Sequence, residues 1–485
     1  MYIRTHNLLT TGDGTPALKW GSTNAYREDA DGTAVYDWTI VDGILNTYVQ
    51  SRAKLFVEIG FMPKALSIHP EPYQHTWPQG GIDTGWAYPP KDYRRWGELV
   101  RQWAAHCLAR FGREEVESWY WEVWNEPDIL YWHGSPEDYN QLYDFAAEAV
   151  KSVLPGARVG GPATTGPASP GGAAFLRQFL THCVRGKNYA TGKQGAPLDF
   201  ISYHAKGRPE VAGGRVRMGL ARHLQDVDEG FRVIAEFPQF QTLPIVLSES
   251  DPEGCAACPA KGHPQNAYRN GPLYPAYTAL ALSSILKLAD RRHADIEGML
   301  TWAFEFENQA FFEGFRTLAT NGIDKPILNL FRMLGLMAGK RLGVESSGAL
   351  ELDAILAQGV RGRPDVDALA AASDHQVSVL VWNYQDEDAP SADAQIKLTL
   401  AGLPPGTGGV LLYHFRIDQN HSNSYSLWRQ LGSPLNPTPE QYAQLEAAGQ
   451  LQMLESPHWL TSHAGRLEAD FSLPVEGVSL LVASW

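Results

Sequence analysis

Trp119-Tyr-Trp-Glu-Val-Trp-Asn-Glu-Pro127 is the stretch that decides the fold of this chain. Its aromatic first half is typical of a buried strand. Pro127 ends that strand, because proline has no N–H to donate to a sheet ladder. We therefore expect Glu126 at the rim of a sheet. Aromatic surroundings disfavour a charged carboxylate, which suits a general acid.

Short apolar runs alternate with amphipathic helical patterns through the first two thirds of the chain. The predicted strands cover residues 2–4, 55–61, 119–124, 158–163, 200–204, 244–249 and 298–304, and the clearest helical patterns cover residues 92–110, 135–154 and 273–288. Strands that alternate with helices predict an α/β fold with a parallel sheet, and over this length a (β/α)8 barrel of the TIM type. Several predicted strands end in polar residues, and a barrel holds its chemistry at those ends.

The pattern changes after about residue 345. Residues 377–383, 394–400, 409–415 and 477–485 have the pattern of half-buried strands separated by turns, and one helical pattern covers residues 438–448. This arrangement predicts a β-sandwich. We therefore expect two domains, a catalytic barrel at residues 1–344 and a C-terminal β-sandwich domain at residues 345–485.

The charge of the chain excludes some classes of partner. Its formal net charge is −14, whereas nucleic acids and anionic membranes attract basic surfaces, so a neutral substrate fits better. No window approaches about 18 consecutive apolar residues, and residues 1–10 show no basic segment followed by an apolar run. We therefore expect no membrane span and a cytoplasmic location. The oligomeric state is not indicated.

The four cysteines are Cys107, Cys183, Cys255 and Cys258. The last two form a Cys-x-x-Cys motif in a stretch rich in glycine and proline. A zinc site would need a second pair of ligands at a suitable spacing, and the sequence offers none. We expect either two free thiols or a local disulfide at this motif, and no metal.

A second acidic residue completes the candidate chemistry. Leu243-Pro-Ile-Val-Leu-Ser-Glu249 is an apolar strand that ends in Glu249. Glycosidases place two carboxyl groups on either side of the bond they cleave, and a separation of roughly 5–5.5 Å gives retention through a covalent intermediate. Glu126 and Glu249 are therefore the candidate pair.

A resemblance to a known family runs nearly end to end. The stretches that carry it are Tyr2-Ile-Arg-Thr-His-Asn-Leu-Leu9, Phe56-Val-Glu-Ile-Gly-Phe-Met-Pro63, Tyr88-Pro-Pro-Lys-Asp-Tyr93, Trp121-Glu-Val-Trp-Asn-Glu-Pro127, Gly160-Gly-Pro162, Asp199-Phe-Ile-Ser-Tyr-His204, Leu247-Ser-Glu249, Gly322-Ile-Asp-Lys-Pro326 and residues 423–439. In these stretches the chain resembles glycoside hydrolase family 39, the family of β-xylosidases and α-L-iduronidases. The resemblance implies a retaining glycosidase with a carbohydrate substrate and no cofactor.

The resemblance also assigns roles to residues. It implies that Glu126 is the acid/base and Glu249 the nucleophile. It further implies that substrate is lined by His6, Asn125, His204 and Trp302. If Glu126 follows the fourth barrel strand and Glu249 the seventh, residues 2–6 form the second strand, and the first strand of the family has no counterpart in this chain.

The substrate remains open between the two branches of the family. Lys206 and Arg316 match residues that hold the carboxylate of iduronate in α-L-iduronidases, whereas other stretches resemble the β-xylosidases. In a xylosidase, at least one of these cations should be neutralised by a protein carboxylate, since xylose offers it no partner. Asp251 and Glu253 are the nearest candidates in sequence. We favour a β-xylosidase that releases xylose from β-1,4-xylosides, with an α-L-iduronidase-like hydrolase as the alternative.

An alternative of another class is a non-catalytic carbohydrate-binding barrel. The presence of both glutamates together with Asn125 disfavours it, because binding alone does not require a matched acid pair.

Overall fold

A computed structural model describes residues 1–15, 22–75, 81–303, 308–404 and 406–485, with the backbone alone at Ile82. Contacts divide the described chain into two compact units. The first comprises Met1–Ala205, Gln225–Ser250 and Leu288–Thr301, and the second comprises Lys206–Leu224, Asp251–Lys287 and Trp302–Trp485. The boundary expected between residues 344 and 345 stays a prediction.

The first unit is built on a parallel sheet in which, within the described ranges, seven strands follow one another in chain order. The strands are β1 (Tyr2–Arg4), β2 (Lys54–Ile59), β3 (Tyr120–Val123), β4 (Arg158–Thr164), β5 (Phe200–Lys206), β6 (Ile245–Asp251) and β7 (Ile296–Met299). The main helices along this part of the chain are α1 (Thr39–Gln50), α2 (Tyr93–Phe111), α3 (Arg113–Glu117), α4 (Pro136–Val153), α5 (Pro170–Arg185), α6 (Leu220–Ala235) and α7 (Leu273–Arg292). This alternation confirms the predicted TIM-type α/β fold.

Local signals in the sequence set where these helices begin. The side chain of Asp92 caps α2, and Ser135 caps α4 in a reciprocal capping box with Asp138. Proline at the first position of α4 and α5 costs no hydrogen bond there, because the first N–H groups of a helix have no partner within it. Both helical patterns predicted in this region, residues 92–110 and 135–154, agree with the structure to within one residue at each end.

The sheet curls, so that strands far apart in its order meet across its interior. Tyr120 of β3 donates a hydrogen bond to Glu297 of β7 at 3.1 Å. Arg4 of β1 pairs with Glu249 of β6 at 2.9 Å. This curl is the geometry of a barrel, in which inward side chains stack in layers.

The interior changes from apolar to charged along the strands. An apolar layer forms near their start from Phe56, Tyr120, Phe200 and Val246, with Tyr2 and Leu300 packed against it. Because side chains alternate along a strand, the inward residue two positions further on β1, β2 and β3 is Arg4, Glu58 or Glu122. The apolar layer thus lies directly beneath a charged one.

The last strand of this sheet differs from its expected bounds. An apolar run predicted a strand at residues 298–304, but β7 pairs with β6 through Ile296, Gly298 and Met299, across a register shift. The apolar run therefore lies mostly beyond the ladder. Residue 304 lies outside the described residues.

The second unit contains the expected β-sandwich. Its strands are β8 (Lys340–Leu342), β9 (Asp365–Ser373), β10 (Gln376–Tyr384), β11 (Ala394–Ala401), β12 (Gly409–Ile417), β13 (Gln452–Met453), β14 (His458–Thr461), β15 (Arg466–Leu473) and β16 (Val478–Ser484). One antiparallel sheet runs β8-β9-β10-β16-β12-β13, with β14 also paired to β12, and a second sheet consists of β11 and β15. A shared core of apolar residues from both sheets, including Val379, Leu412, Leu467 and Leu481, lies between them.

Shorter elements complete the description. Short antiparallel pairs join Tyr26–Glu28 with Ala34–Tyr36, Tyr73–His75 with Ile82–Gly85, Glu210–Ala212 with Arg215–Arg217, and Ala319–Thr320 with Ile323–Asp324. The remaining helices are α8 (Pro326–Leu336), α9 (Leu352–Gln358), α10 (Ser424–Gln430) and α11 (Pro439–Gly449), with 3-10 turns at Pro238–Phe240 and Pro264–Asn270. None of the helices in the described ranges has the length and apolar character needed to cross a membrane.

A buried acid pair in the second unit makes stability depend on pH. Burial, and then the charge of Asp388 and a hydrogen bond with it, raise the pKa of Glu476 from 4.5 to about 8. The folded chain therefore holds this proton more tightly than the unfolded chain does. The resulting stabilisation is complete below about pH 4.5 and is lost as the pH rises toward 8.

We predict that Glu476→Gln, which cannot ionise, raises the free energy of unfolding at pH 8 by roughly 2 kcal/mol, since one pKa unit corresponds to about 1.4 kcal/mol. The gain should shrink at pH 5. Denaturant titrations at the two pH values measure it, with the exposed Glu468→Gln as the control. A variant no more stable than the wild type at pH 8 would contradict the role of the pair.

Candidate active site

Glu126 follows β3 in a turn with unusual backbone geometry. Trp124 and Glu126 have φ angles of 73° and 45°, which residues other than glycine rarely adopt. The N–H of Glu126 donates to the carbonyl of Ala163 on β4 at 2.9 Å. The turn ends the strand where Pro127 predicts, and it leaves 16% of the Glu126 side chain exposed.

Glu249 lies on β6, which continues two residues past the predicted end at 249 to Asp251. Its side chain is buried, and one oxygen of Glu249 lies within 4.8 Å of an oxygen of Glu126. Retaining glycosidases hold their two carboxyl groups roughly 5–5.5 Å apart, whereas inverting enzymes need about 6.5–9.5 Å to admit a water. The observed separation fits the retaining class.

His204, on β5, lies between the two carboxylates. Its Nδ1 is 2.8 Å from Oε1 of Glu126 and 3.6 Å from Oε2 of Glu249. Its other ring nitrogen, Nε2, is buried and has no hydrogen-bond partner in the described part of the chain. Since buried polar atoms normally have partners, Nε2 is a candidate contact for a substrate hydroxyl.

Arg4 connects the nucleophile candidate to the rest of the charged layer. Its guanidinium contacts Glu122 at 2.6 Å, Glu58 at 2.8 Å and Glu249 at 2.9 Å. It also donates to Oδ1 of Asn125 at 3.2 Å. Arg4 was not among the predicted site residues, although a signal existed, since a charged residue occupied an inward position in each of three otherwise apolar strands.

The charge balance of this layer holds Arg4 in its ionised form. Burial lowers the pKa of Arg4, but the charges of Glu122, Glu58 and Glu249 outweigh burial and raise it well above its ordinary value. A buried ion network of this kind is strongly destabilised when one partner is removed, because the opposite charges are left uncompensated. Arg4 thus stabilises the layer and orients Glu249.

His6 and Asn125, both predicted to line the substrate, belong to the same layer. Nδ1 of His6 is 2.8 Å from Glu58. Asn125 is buried beside Glu126 in sequence and accepts the hydrogen bond from Arg4. The structure therefore brings five of the predicted site residues together, namely His6, Asn125, Glu126, His204 and Glu249.

Tyr131 is a further residue of this site that the sequence did not suggest. Its hydroxyl lies 3.0 Å from Nε2 of His75. Burial, and then the charges of Glu126 and Glu249, raise the pKa of Tyr131 well above its ordinary value. The phenol therefore stays protonated beside the carboxylate pair.

The other three predicted residues form a second cluster, in the second unit. Lys206 pairs with Asp251 at 2.6 Å, and Arg316 pairs with Glu253 at 2.9 Å. Trp302 joins this cluster, since its N–H donates to Asp251 at 3.2 Å and its carbonyl accepts from Nε of Arg316 at 2.8 Å. Both cations are neutralised by the two acids that the sequence had suggested.

The Cys-x-x-Cys motif follows Glu253 directly. Cys255 and Cys258 form a disulfide, one of the two expected alternatives. Cys107 and Cys183 are free and buried. The disulfide closes a tight turn beside the second cluster.

Glu126, His204 and Glu249 could also serve as ligands for a metal, since their side-chain atoms are close enough together. The donor set fits a metal poorly, however, because Arg4 already places a positive charge 2.9 Å from Glu249. A second cation there would meet like-charge repulsion in a buried site. We therefore assign no metal to the trio.

Comparisons with known proteins agree with this geometry. The model of the glycosyl hydrolases family 39 matches residues 2–465. A β-xylosidase of Caldicellulosiruptor saccharolyticus is 27% identical over 456 residues, which are 92% of this chain and 83% of that protein. The human α-L-iduronidase is 29% identical over 381 residues, and the match spans 73% of this chain but only 54% of the iduronidase.

Solved structures show the same fold. A β-xylosidase from Caulobacter crescentus CB15 superposes with a TM-score of 0.74 at 22% identity, covering 100% of this chain and 89% of that one. A bacterial orthologue of human α-L-iduronidase gives a TM-score of 0.75 at 21% identity, covering 100% and 75%. At these identities the likeness concerns the fold alone.

We predict that Arg4→Met lowers the free energy of unfolding by about 3–5 kcal/mol, because it leaves buried carboxylates without their cation. Denaturant titration of the purified chain measures the loss. The control is Arg101→Met, which removes an exposed arginine that pairs with Glu98 at 2.7 Å and should cost less than about 1 kcal/mol. Equal losses in the two variants would show that Arg4 does not hold the layer together.

Proposed function

Because this chain belongs to the glycosyl hydrolases family 39 and is a glycoside hydrolase, we propose that it is a retaining exo-acting β-xylosidase. Glu126 acts as acid/base and Glu249 as nucleophile. The observation that carries the mechanism is the approach of the two carboxylates to within 4.8 Å, with His204 between them. This spacing supports attack by a side chain, since it leaves too little room for a water to attack in the first step.

In the first step, Glu126 protonates the glycosidic oxygen while Glu249 attacks carbon one, and the bond to the leaving group breaks. The sugar is then covalently bound to Glu249. Arg4 supports this role, because its positive charge favours the ionised form of the nucleophile. The hydrogen bond from His204 orients Glu126 toward the same space.

In the second step, Glu126, now ionised, takes a proton from water, and the water oxygen attacks carbon one. The bond to Glu249 breaks and the sugar leaves with its original configuration. Asn125, His6 and the unpartnered Nε2 of His204 are proposed contacts for sugar hydroxyls. Hydrogen bonds of this kind strengthen as positive charge develops on the ring.

Two observations favour xylose over a uronic acid. The match covers 83% of the Caldicellulosiruptor β-xylosidase but only 54% of the human α-L-iduronidase. In the second cluster, carboxylates of the protein already occupy Lys206 and Arg316. An acidic sugar would have to compete with them, whereas xylose, which lacks a substituent on carbon five, would not.

An α-L-iduronidase-like activity remains the second candidate, and one observation favours it. Lys206 and Arg316, the cations that the resemblance connects with iduronate, are both present and lie together with Trp302. A non-catalytic binding barrel is disfavoured, because the buried network around Glu249 costs stability that simple binding would not require.

The proposed substrate is a small xylo-oligosaccharide, and no nucleic acid or membrane partner is proposed. The cytoplasmic location stays a prediction. The Cys255–Cys258 disulfide argues against it, because disulfides persist mainly in oxidising compartments.

The roles of the two glutamates predict different mutant behaviour. Glu249→Ala should abolish turnover of every aryl xyloside. Glu126→Ala should retain most activity where the leaving group is a good one, and azide should accelerate this variant while yielding a β-xylosyl azide. Steady-state rates and NMR of the product measure both effects, with the exposed Glu468→Ala as the control. Unrescued, equal losses in the two variants would exchange or remove the assigned roles.

The substrate is tested with a panel of aryl glycosides. We expect turnover of the β-xyloside with β-xylose as the first product, visible by NMR before mutarotation, and negligible turnover of the α-L-iduronide. Release of α-xylose first would rule out retention. Faster hydrolysis of the iduronide than of the xyloside would favour the second candidate.

A further inference from the structure

Arg316 is fully buried, and most of its donors are bound by the protein. Nε donates to the carbonyl of Trp302 at 2.8 Å. Nη1 contacts Glu253 twice, at 2.6 Å through its carbonyl and at 2.9 Å through its carboxylate. Nη2 is buried and has no hydrogen-bond partner within the described ranges. One face of the guanidinium therefore remains able to bind a ligand.

Glu253 is held in its ionised form. Burial would raise the pKa of Glu253, but the charges of Arg316 and Arg269 outweigh burial and lower it to about 2. Its Oε1 accepts from Arg269 at 2.7 Å and from the hydroxyl of Tyr268 at 3.1 Å, and its Oε2 accepts from the N–H of Cys255 at 2.5 Å. Glu253 is thus a permanent negative charge on Arg316.

The turn that follows prevents Glu253 from swinging away. The Cys255–Cys258 disulfide closes this turn, and Arg269 donates to the carbonyls of Cys255, Ala256 and Cys258. A second carbonyl partner, that of Gly314, ties Arg269 to the segment that carries Arg316. Arg269 therefore acts as a positioning residue for Glu253, with its charge spread over several carbonyl dipoles.

The positions of these residues along the chain connect them to the proposed chemistry. Lys206 lies two residues beyond His204 on β5, and Asp251 lies two residues beyond Glu249 on β6. Of the two cations that could meet an acidic sugar, Lys206 is paired with Asp251 and Arg316 with Glu253. A substrate carboxylate would be placed beside two fixed carboxylates, and like charges brought together cost several kcal/mol.

We propose that Glu253 is a specificity-determining residue, which occupies Arg316 and thereby makes the enzyme reject sugars that carry a carboxylate on carbon five. The inference rests on the proposed β-xylosidase function and deepens it. Selectivity in this chain arises from a repulsive element as well as from contacts to the preferred substrate. Removing the charge of Glu253 frees Arg316 for a substrate carboxylate.

The test compares kcat/KM for an aryl β-xyloside and an aryl α-L-iduronide in the wild type and in Glu253→Gln, which keeps the shape of the side chain. The ratio of iduronide to xyloside should rise roughly tenfold or more, mainly through a lower KM for the iduronide. The kcat for the xyloside should change little. An unchanged ratio in a folded Glu253→Gln enzyme overturns the proposal.

Two further variants separate selectivity from a general loss of structure. Glu253→Gln combined with Arg316→Ala should lose the gain, because the freed cation is gone. Glu253→Asp, which keeps the charge but withdraws it by one methylene, should raise the ratio by a smaller factor, and it provides the test if Glu253→Gln does not fold. A gain that persists without Arg316, or no gain in either single variant, contradicts the role of Glu253.

The control is Glu236→Gln, which breaks a comparable pair with Arg177 at 2.6 Å in the first unit and should leave the ratio unchanged. The wild type distinguishes the two levels of the argument. If it hydrolyses the xyloside with retention but the ratio does not respond to Glu253, only this inference fails. If it does not hydrolyse the xyloside, the proposed function fails.

Discussion

The shared guanidinium of Arg4 is the interaction on which the proposed chemistry depends. Three carboxylates from β2, β3 and β6 converge on one cation in a buried layer. Without that cation, like charges would meet in a low-dielectric interior, where their repulsion is far stronger than in water. The site can therefore hold an ionised Glu249 next to Glu126 because Arg4 offsets its charge.

The position of this layer follows from the strands themselves. Side chains alternate along each strand, so the aromatic residues Phe56 and Tyr120 are followed two positions later by Glu58 and Glu122 on the same side. The apolar layer supplies the burial that stabilises the barrel, and the charged layer above it supplies reactivity. The protein thus gives up some stability to the charged layer at the ends of strands that are otherwise apolar.

The same rule applies in the second unit with a different consequence. Arg316 and Lys206 are cations that need counter-charges once buried, and Glu253 and Asp251 provide them. In the first unit, pairing prepares a nucleophile. In the second unit, pairing uses up positive charge that an acidic ligand would otherwise find, and the disulfide turn makes that pairing rigid.

The sequence by itself determined the features that depend on neighbours along the chain. Apolar runs and helix caps predicted six of the barrel strands closely, and Pro127 predicted the end of β3. It missed β9 and β15, because the first is rich in alanine and the second alternates charged with apolar residues. Only the tertiary structure decided which charges meet: Arg4 with Glu249, Lys206 with Asp251 and Arg316 with Glu253. These contacts join residues 245, 45 and 63 positions apart, and such contacts depend on strand register, on the curl of the sheet and on loop paths, which no local pattern in the chain encodes.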